Sequence, residues 1–311
     1  MLRTTSFTGC LLAVMWMPVH AQAQFSQFNG GEPWPSQTTS TTQNRNFDLA
    51  PSSDSDNRLG TIFLEHLAED QKHFWTFPTR LHVQDLKWIL PAAGVTAAFV
   101  ASDSWISNQV PNRTNQLNFS RHVSDYGLYS LIGAGGAAYI FGSVANKPHS
   151  RETGILSAEA AIDATAVAYA LKIVTARQRP YVRSEDGDFF SGSPAGNRLS
   201  FVSEHAALSW SIASVIAHEY PGPATRIAVY GLATVIAATR VTAEQHFPSD
   251  VVIGGVVGWY FGREVFRMHH DPELGGPESI VNVRQLTWSA KAWRAMGVSR
   301  IASCSRYLSL Q

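Results

Sequence analysis

The sequence contains few cysteines and few charged residues. Its two cysteines are Cys10, which lies in a predicted export signal, and Cys304. We therefore expect no internal disulfide, so core packing must hold the fold together. Asp, Glu, Lys and Arg make up 15% of the chain, and the 24 acidic and 24 basic residues cancel. Because there is neither a basic surplus nor an acidic tail, we expect no nucleic-acid partner.

Runs of alternating apolar and polar residues, typical of β-strands, are also missing, and there is no internal repeat. Instead, an amphipathic segment near residue 60 is followed by six apolar stretches of helical length, separated by Gly and Pro. The sequence predicts an all-α fold built as a six-helix bundle. The six stretches are 88–106, 126–145, 155–174, 205–220, 226–239 and 250–266.

The amino-terminal part predicts export. Arg3 precedes the apolar run "FTGCLLAVMWMPV", and small residues offer cleavage sites after Ala21 or Ala23. The tract that follows is rich in Ser, Thr, Asn and Asp, which is typical of disordered linkers. We therefore expect the protein in the periplasm or cell envelope. The predicted organisation is a signal peptide at 1–23, a disordered linker at 24–59, a helical domain at 60–270 and a carboxy-terminal tail at 271–311.

The sequence leaves open whether the bundle lies in a membrane. A spanning helix needs about 20 apolar residues, which 126–145 provides, and small residues are typical of helices that pack closely in membranes. However, 155–174 carries Glu159 and Asp163, and the mean hydropathy of −0.07 is low for a protein with many spans. A soluble exported bundle and an envelope-embedded bundle are both compatible with these features.

Three polar motifs interrupt the apolar background, and the first is "KIVTARQRP" at 172–180. Lys172 and Arg179 are seven residues apart, nearly two helical turns, so we expect them on one helix face with Pro180 ending the helix. Two cations near a helix end suit a tetrahedral oxyanion. The alternative is an ordinary basic helix end.

The second motif is "SFVSEHAALSW" at 200–210. Ser203 is predicted to cap the fourth helix, whose free N–H groups attract phosphate, and His205 follows two residues later. Each feature alone is common in proteins. The motif carries weight only together with the other two.

The third motif is "TRVTAEQHFPSD" at 239–250. Pro248 predicts a helix start between His246 and Asp250. A carboxylate that accepts a proton from one imidazole nitrogen fixes the tautomer and leaves the other nitrogen free to attack. The guanidinium of Arg240 matches the geometry of phosphate oxygens.

The series Lys-x6-Arg-Pro, Ser-x-His and Arg-x5-His-x3-Asp resembles the motifs of the type 2 phosphatidic acid phosphatase (PAP2) superfamily. That superfamily also includes bacterial non-specific acid phosphatases and vanadium haloperoxidases. The motifs span 172–250, and the helix layout extends the likeness to 88–266. The resemblance implies that motif one ends the third helix, motif two opens the fourth, and motif three links the fifth to the sixth.

The resemblance also implies a role for each motif residue. It makes His246 the nucleophile that forms phosphohistidine, Asp250 its orienting partner, and His205 the acid that protonates the leaving group. It implies no metal and no cofactor. The residues implied to bind phosphate are Lys172, Arg179, Ser203, Glu204 and Arg240.

Two positions depart from the family pattern. Glu204 stands where the family commonly has glycine, and Thr239 stands where serine is usual. A carboxylate aimed at the phosphate would repel it, so we expect the Glu204 side chain to point away and leave its amide available. The change at Thr239 is mild because the hydroxyl is kept.

The sequence therefore predicts an exported phosphatase that hydrolyses phosphomonoesters, either lipid phosphates such as phosphatidic acid or small soluble esters. Its partners would be the phosphate ester, either lipid or soluble, and, for an envelope-embedded bundle, a membrane surface. One alternative is a vanadate-dependent haloperoxidase, in which a similar set of side chains holds vanadate. Another is a non-catalytic lipid-binding or membrane protein with a degenerate site.

Overall fold

The computed structural model describes residues 57–111, 113–182, 187–191 and 199–274. The predicted signal peptide, almost all of the linker and most of the tail lie outside these residues. The described part is helical, with one isolated bridge between Gln178 and Leu199. Its helices are α1 (Thr61–Thr76), α2 (Leu86–Ser107), α3 (Thr114–Val144), α4 (Pro148–Thr175), α5 (Glu204–Glu219), α6 (Pro223–Thr242) and α7 (Pro248–His269).

The all-α prediction is confirmed, and helices α2 to α7 correspond in order to the six apolar stretches. Two of them begin well before their apolar runs. Helix α3 begins 12 residues before 126, at Thr114, and α4 begins 7 residues before 155, at Pro148. Their first turns are polar, so hydrophobicity alone does not mark them. Proline at the first position of α4 is a common helix start, because its missing N–H has no helical partner there.

Close packing of α5 against α7 forms the centre of the bundle. Gly254, Gly258 and Gly262 are spaced by four residues and share one face of α7. A Cβ added at Gly258 would lie 2.0 Å from the carbonyl oxygen of Ala207, and one at Gly262 would lie 2.3 Å from that of Ser211. Glycine is therefore required at these positions, because only it allows the two backbones to approach so closely.

The chain reverses direction between consecutive helices, so all three motifs meet at one end of the bundle. Four helix ends lie there: the end of α4, the start of α5, the end of α6 and the start of α7. Pro248 is the first residue of α7 and Phe247 is its cap, as the sequence predicts. This end carries the candidate functional site.

Four helices are long and apolar enough to cross a membrane, judged by length and composition within the described residues. Their outward faces are apolar: Leu90 and Trp105 on α2 are 64% and 67% exposed, and Phe119 on α3 is 68% exposed. Such surface suits lipid better than water. The four candidate segments are Ile89–Ser107, Thr114–Val144, Pro148–Thr175 and Pro223–Thr242.

Candidate active site

Helix α4 ends differently from the sequence-based expectation. It ends at Thr175, because Ala176 takes a left-handed conformation (φ 41°) and its N–H bonds to the carbonyl of Lys172. Pro180 therefore does not stop the helix, and the prediction that Lys172 and Arg179 share a helix face is wrong. Arg179 instead enters the site from the loop that follows α4.

The two guanidinium groups that the resemblance assigns to phosphate, those of Arg179 and Arg240, are held largely by neutral oxygens. Arg179 donates to the carbonyl of Leu199 at 3.1 Å and to Gln245 Oε1 at 2.6 Å. Arg240, 7% exposed, donates from one amine group to Ser124 Oγ at 3.2 Å, and its buried Nε has no hydrogen-bond partner among the described residues. Part of the hydrogen-bonding capacity of Arg240 is thus available for an anion.

Helix α3 adds an acid that sequence analysis did not single out. Asp125 Oδ1 lies 3.1 Å from His205 Nε2 and 3.4 Å from an amine nitrogen of Arg240. These groups border an open cleft of about 540 Å³. The residues lining it are Arg121, Asp125, Tyr129, Tyr181, His205, Arg240 and Gln245.

His246 is buried, and its ring is fixed by the backbone. Its Nδ1 lies 2.8 Å from the carbonyl oxygen of Ser200, and because a carbonyl only accepts, this nitrogen carries the proton. Burial lowers the pKa of His246 to about 3, and the positive charges of Arg240 and Arg179 act in the same direction. The ring is therefore neutral at pH 7, with the lone pair on Nε2.

Asp250 lies beside His246 but does not directly accept its proton. Its Oδ2 is 3.7 Å from His246 Nδ1, farther than the Ser200 carbonyl. The same oxygen accepts hydrogen bonds from the Phe247 N–H at 2.8 Å and from the Ser200 hydroxyl. Asp250 thus orients the imidazole indirectly. It holds the hydroxyl of Ser200, whose carbonyl accepts from the ring, and the backbone N–H of Phe247, the residue after His246.

A buried arginine outside the predicted set holds this carboxylate. Arg177, 2% exposed, donates at 2.8 Å to each of three oxygens, on Asp250, Ser249 and Asp103. Its guanidinium also lies 4.2 Å from the centre of the Phe247 ring. Burial alone would raise the pKa of Asp250, but the neighbouring imidazole and the Arg177 charge outweigh it and the pKa is lowered. Asp250 is therefore ionised.

Ser203 caps α5 by position, as predicted, although its side chain makes no capping hydrogen bond. Its N–H donates to the carbonyl of Asp250 at 2.9 Å, so the amide is not available to a ligand. Its hydroxyl is buried and has no hydrogen-bond partner among the described residues. The hydroxyl, and not the amide, is thus the donor that Ser203 has left for phosphate.

Glu204 contradicts the expectation that its side chain points away from the site. Its Oε2 lies 3.1 Å from Nζ of Lys172, whose side chain is 5% exposed, whereas that of Glu204 is 41% exposed. Glu204 is the first residue of α5 and has helical backbone geometry, so no backbone strain arises from the missing glycine. The physical reason for the contact is charge: Lys172 is a largely buried cation within reach of this carboxylate.

His205 differs from His246 in being partly exposed and acid-paired. Burial lowers the pKa of His205 to about 4, and the charge of Arg240 adds to this, although Asp125 opposes it. The imidazole is therefore neutral at pH 7 when the cleft holds no anion. A bound phosphate would add negative charge next to the ring and raise its pKa.

The structure thus brings together every residue that the motifs single out, and it adds four that they do not: Asp103, Asp125, Arg177 and Ser200. A signal exists for three of these. Arg177 lies inside the first motif, Ser200 opens the second, and Asp103 interrupts an apolar stretch. Asp125 has no such signal because its role depends on contacts with distant segments.

A family model covers the segment that carries the three motifs. Residues 154–273 match the model of the PAP2 superfamily. The crystal structure of Aquifex aeolicus LpxE is similar with a TM-score of 0.40 and 22% identity, covering 54% of this chain and 94% of that one. No curated protein sequence matches at a significant level. Over residues 154–273 the chain is thus similar to the PAP2 superfamily, the same family that its three motifs resemble.

Proposed function

We propose that this protein hydrolyses phosphomonoesters of lipids through a phosphohistidine formed on His246. The observation that carries the proposal is the state of that side chain. It is buried and neutral, and its Nδ1 proton is held by the Ser200 carbonyl. An imidazole in this state has its nucleophilic lone pair on Nε2, as covalent catalysis requires.

In the first step, His246 Nε2 attacks phosphorus and the bond to the leaving alkoxide breaks. His205, protonated once the anionic ester is bound, gives its proton to that alkoxide. In the second step, neutral His205 takes a proton from water, the oxygen attacks phosphorus, and the phosphorus–nitrogen bond breaks. Free phosphate leaves and both imidazoles return to their starting state.

Charge stabilisation supplies the remaining catalysis, since charge in phosphoryl transfer spreads over the equatorial oxygens. Lys172, Arg179 and Arg240 approach the site from the end of α4, the loop after it and the end of α6. Arg240 and Arg179 act electrostatically on His246, and Arg240 acts on His205. Arg240 therefore lies near both proposed catalytic imidazoles and Arg179 lies near His246, which supports binding of one phosphate group between the two rings.

The surroundings of the cleft favour a lipid ester over a small soluble one. Tyr129 lines the cleft from α3 and is 63% exposed. The same helix exposes Tyr126, Ile132 and Ile140, each at least 45%, and it is among the candidate membrane spans. A phosphate in the cleft would thus be next to a surface suited to acyl chains. We propose that the bundle is embedded in the membrane of the cell envelope.

The test compares phosphate release from phosphatidic acid in detergent micelles and from a soluble aryl phosphate. We expect hydrolysis by the wild type, with the lipid preferred, and loss of at least about 10³-fold in H246A and about 10²-fold in H205A. His122→Ala, an exposed histidine on α3, serves as the matched control. Rapid quenching should trap an acid-labile phosphoenzyme in the wild type and none in H246A. Hydrolysis that survives in H246A would overturn the mechanism.

Vanadate separates this proposal from the haloperoxidase alternative. As a mimic of the transition state, vanadate should inhibit ester hydrolysis competitively. Halide oxidation that appears when vanadate and peroxide are added, without any ester hydrolysis by the untreated protein, would favour the alternative instead.

A further inference from the structure

A second polar cluster lies at the opposite end of the bundle. Glu152 is in the first turns of α4, Glu219 is the last residue of α5, and His270 directly follows α7. Along α4, the 20 residues from Glu152 to Lys172 span about 30 Å. The cluster is therefore separate from the phosphate site.

Each of the two carboxylates is oriented through one oxygen only. Glu152 Oε1 accepts hydrogen bonds from Asn57 at 2.6 Å and from the Asp271 N–H at 2.7 Å. Glu219 Oε2 lies 2.7 Å from His149 Nε2. The side chains of Glu152 and Glu219 are buried, with no exposed surface, so these contacts fix them in place.

The other oxygen of each carboxylate points at the same imidazole nitrogen. Glu152 Oε2 lies 3.4 Å from His270 Nδ1, and Glu219 Oε1 lies 3.3 Å from it. None of these three buried atoms has a hydrogen-bond partner among the described residues. All three lie within 4.8 Å of one another. Two carboxylate oxygens and one ring nitrogen, none with a hydrogen-bond partner, thus face one point in the interior. Burying polar atoms without partners costs folding free energy.

The separations fit a metal better than an ion pair. Zinc bonds of about 2.0–2.2 Å to nitrogen and oxygen, in tetrahedral geometry, put neighbouring ligand atoms about 3.3–3.6 Å apart. A charge-assisted hydrogen bond from a protonated His270 would instead be about 2.7–2.9 Å long. The ring of His270 also stacks on Phe266, with centroids 4.5 Å apart, which holds its plane.

We propose that Glu152, Glu219 and His270 form a binding site for a divalent transition-metal ion, with Zn²⁺ the best match. Two carboxylates and one imidazole suit Zn²⁺, whereas Ca²⁺ takes six to eight oxygens and Mg²⁺ is held mainly by oxygen and water. The charge of the ion balances the two buried carboxylates. The ion would join the start of α4 to the ends of α5 and α7. A metal site here differs from the sequence-based expectation, which was a protein without metal.

The test measures zinc bound to the full-length protein in detergent, after chelation and reloading with ZnCl₂, by elemental analysis. We expect one zinc per chain in the wild type and a rise in Tm on loading. H270Q and E152Q should lose the bound zinc and the Tm response. H149A, which removes only an orienting partner, should weaken zinc binding about 10–100-fold. Monodisperse elution identifies correctly folded variants, and retained ester hydrolysis is a second criterion for H270Q, E152Q and H149A.

Two controls locate the metal. Glu273→Gln, at an exposed position near the cluster, should keep full zinc binding. H246A should also keep it, because the phosphate site is elsewhere. Cobalt loading of the wild type should give the visible absorption of a tetrahedral site, and H270Q should not. Absence of zinc from the reloaded wild type, or loss of zinc in H246A but not in H270Q, would overturn the proposal.

Discussion

Glu204 Oε2 lies 3.1 Å from Nζ of Lys172. A carboxylate thus forms an ion pair with one of the cations proposed to bind phosphate. The family commonly has glycine at this position. An incoming phosphate must therefore compete with Glu204 for Lys172 and tolerate a like charge beside it.

Replacing Glu204 by Gln should strengthen phosphate binding. Because the Glu204 side chain is 41% exposed, solvent screens the pair, and we expect KM to fall on the order of fivefold, about 1 kcal/mol. The kcat value should change little. Steady-state kinetics and inhibition by inorganic phosphate provide the measurement, with Glu69→Gln on the exposed face of α1 as the control. A rise in KM would mean that Glu204 instead positions Lys172 for binding.

Replacing Asp125 by Asn should shift the pH profile of kcat/KM to lower pH. The pKa of His205 is lowered to about 4, and Asp125 acts against that shift by raising it. Removing the carboxylate therefore lowers the pKa further, and the protonated form needed to supply the leaving group's proton is lost at lower pH. Asp125→Glu keeps the charge and should keep the profile. Because substrate ionisation is common to all three proteins, an unchanged or alkaline-shifted D125N profile would contradict this role.

Replacing Arg177 by Ala should destabilise the fold strongly. The change leaves the buried carboxylates of Asp103 and Asp250 without their shared cation. Loss of one partner from a buried ion pair costs about 3–5 kcal/mol. Thermal unfolding in detergent should show this, with Arg267→Ala, whose side chain is 40% exposed, having little effect. A destabilisation of R177A as small as that of R267A would show that the cluster contributes little to folding.

Replacing Gly258 by Ala should disrupt the packing of α5 on α7. The new methyl group would lie 2.0 Å from the carbonyl of Ala207, so the helices must separate at a cost of about 1–3 kcal/mol or more. Gly231→Ala on α6 is the matched control, because a Cβ there meets nothing within 4 Å. It should stabilise that helix by about 0.5–1 kcal/mol. Equal unfolding temperatures for the two variants would argue against the close approach.

The order of the helices in the bundle can be predicted from the sequence, because hydrophobic periodicity is a local property of each helix. The six apolar stretches became α2 to α7, and Pro248 marked the start of α7. The end of α4 was predicted wrongly, since Pro180 suggested a longer helix. No local sequence feature predicts the left-handed conformation of Ala176. The residue after it is paired with a distant segment, since the Ser200 N–H donates to the Arg177 carbonyl.

The sequence by itself determined the helical class, the three motifs and the residue types that phosphate chemistry needs, because these depend on spacing along the chain. Only the tertiary structure decided which groups neutralise one another. It paired Arg177 with Asp103 across 74 positions, Asp125 with His205 across 80, and His149 with Glu219 across 70. Such pairs depend on which helix ends meet, and that follows from packing the whole apolar surface at once rather than from any local pattern.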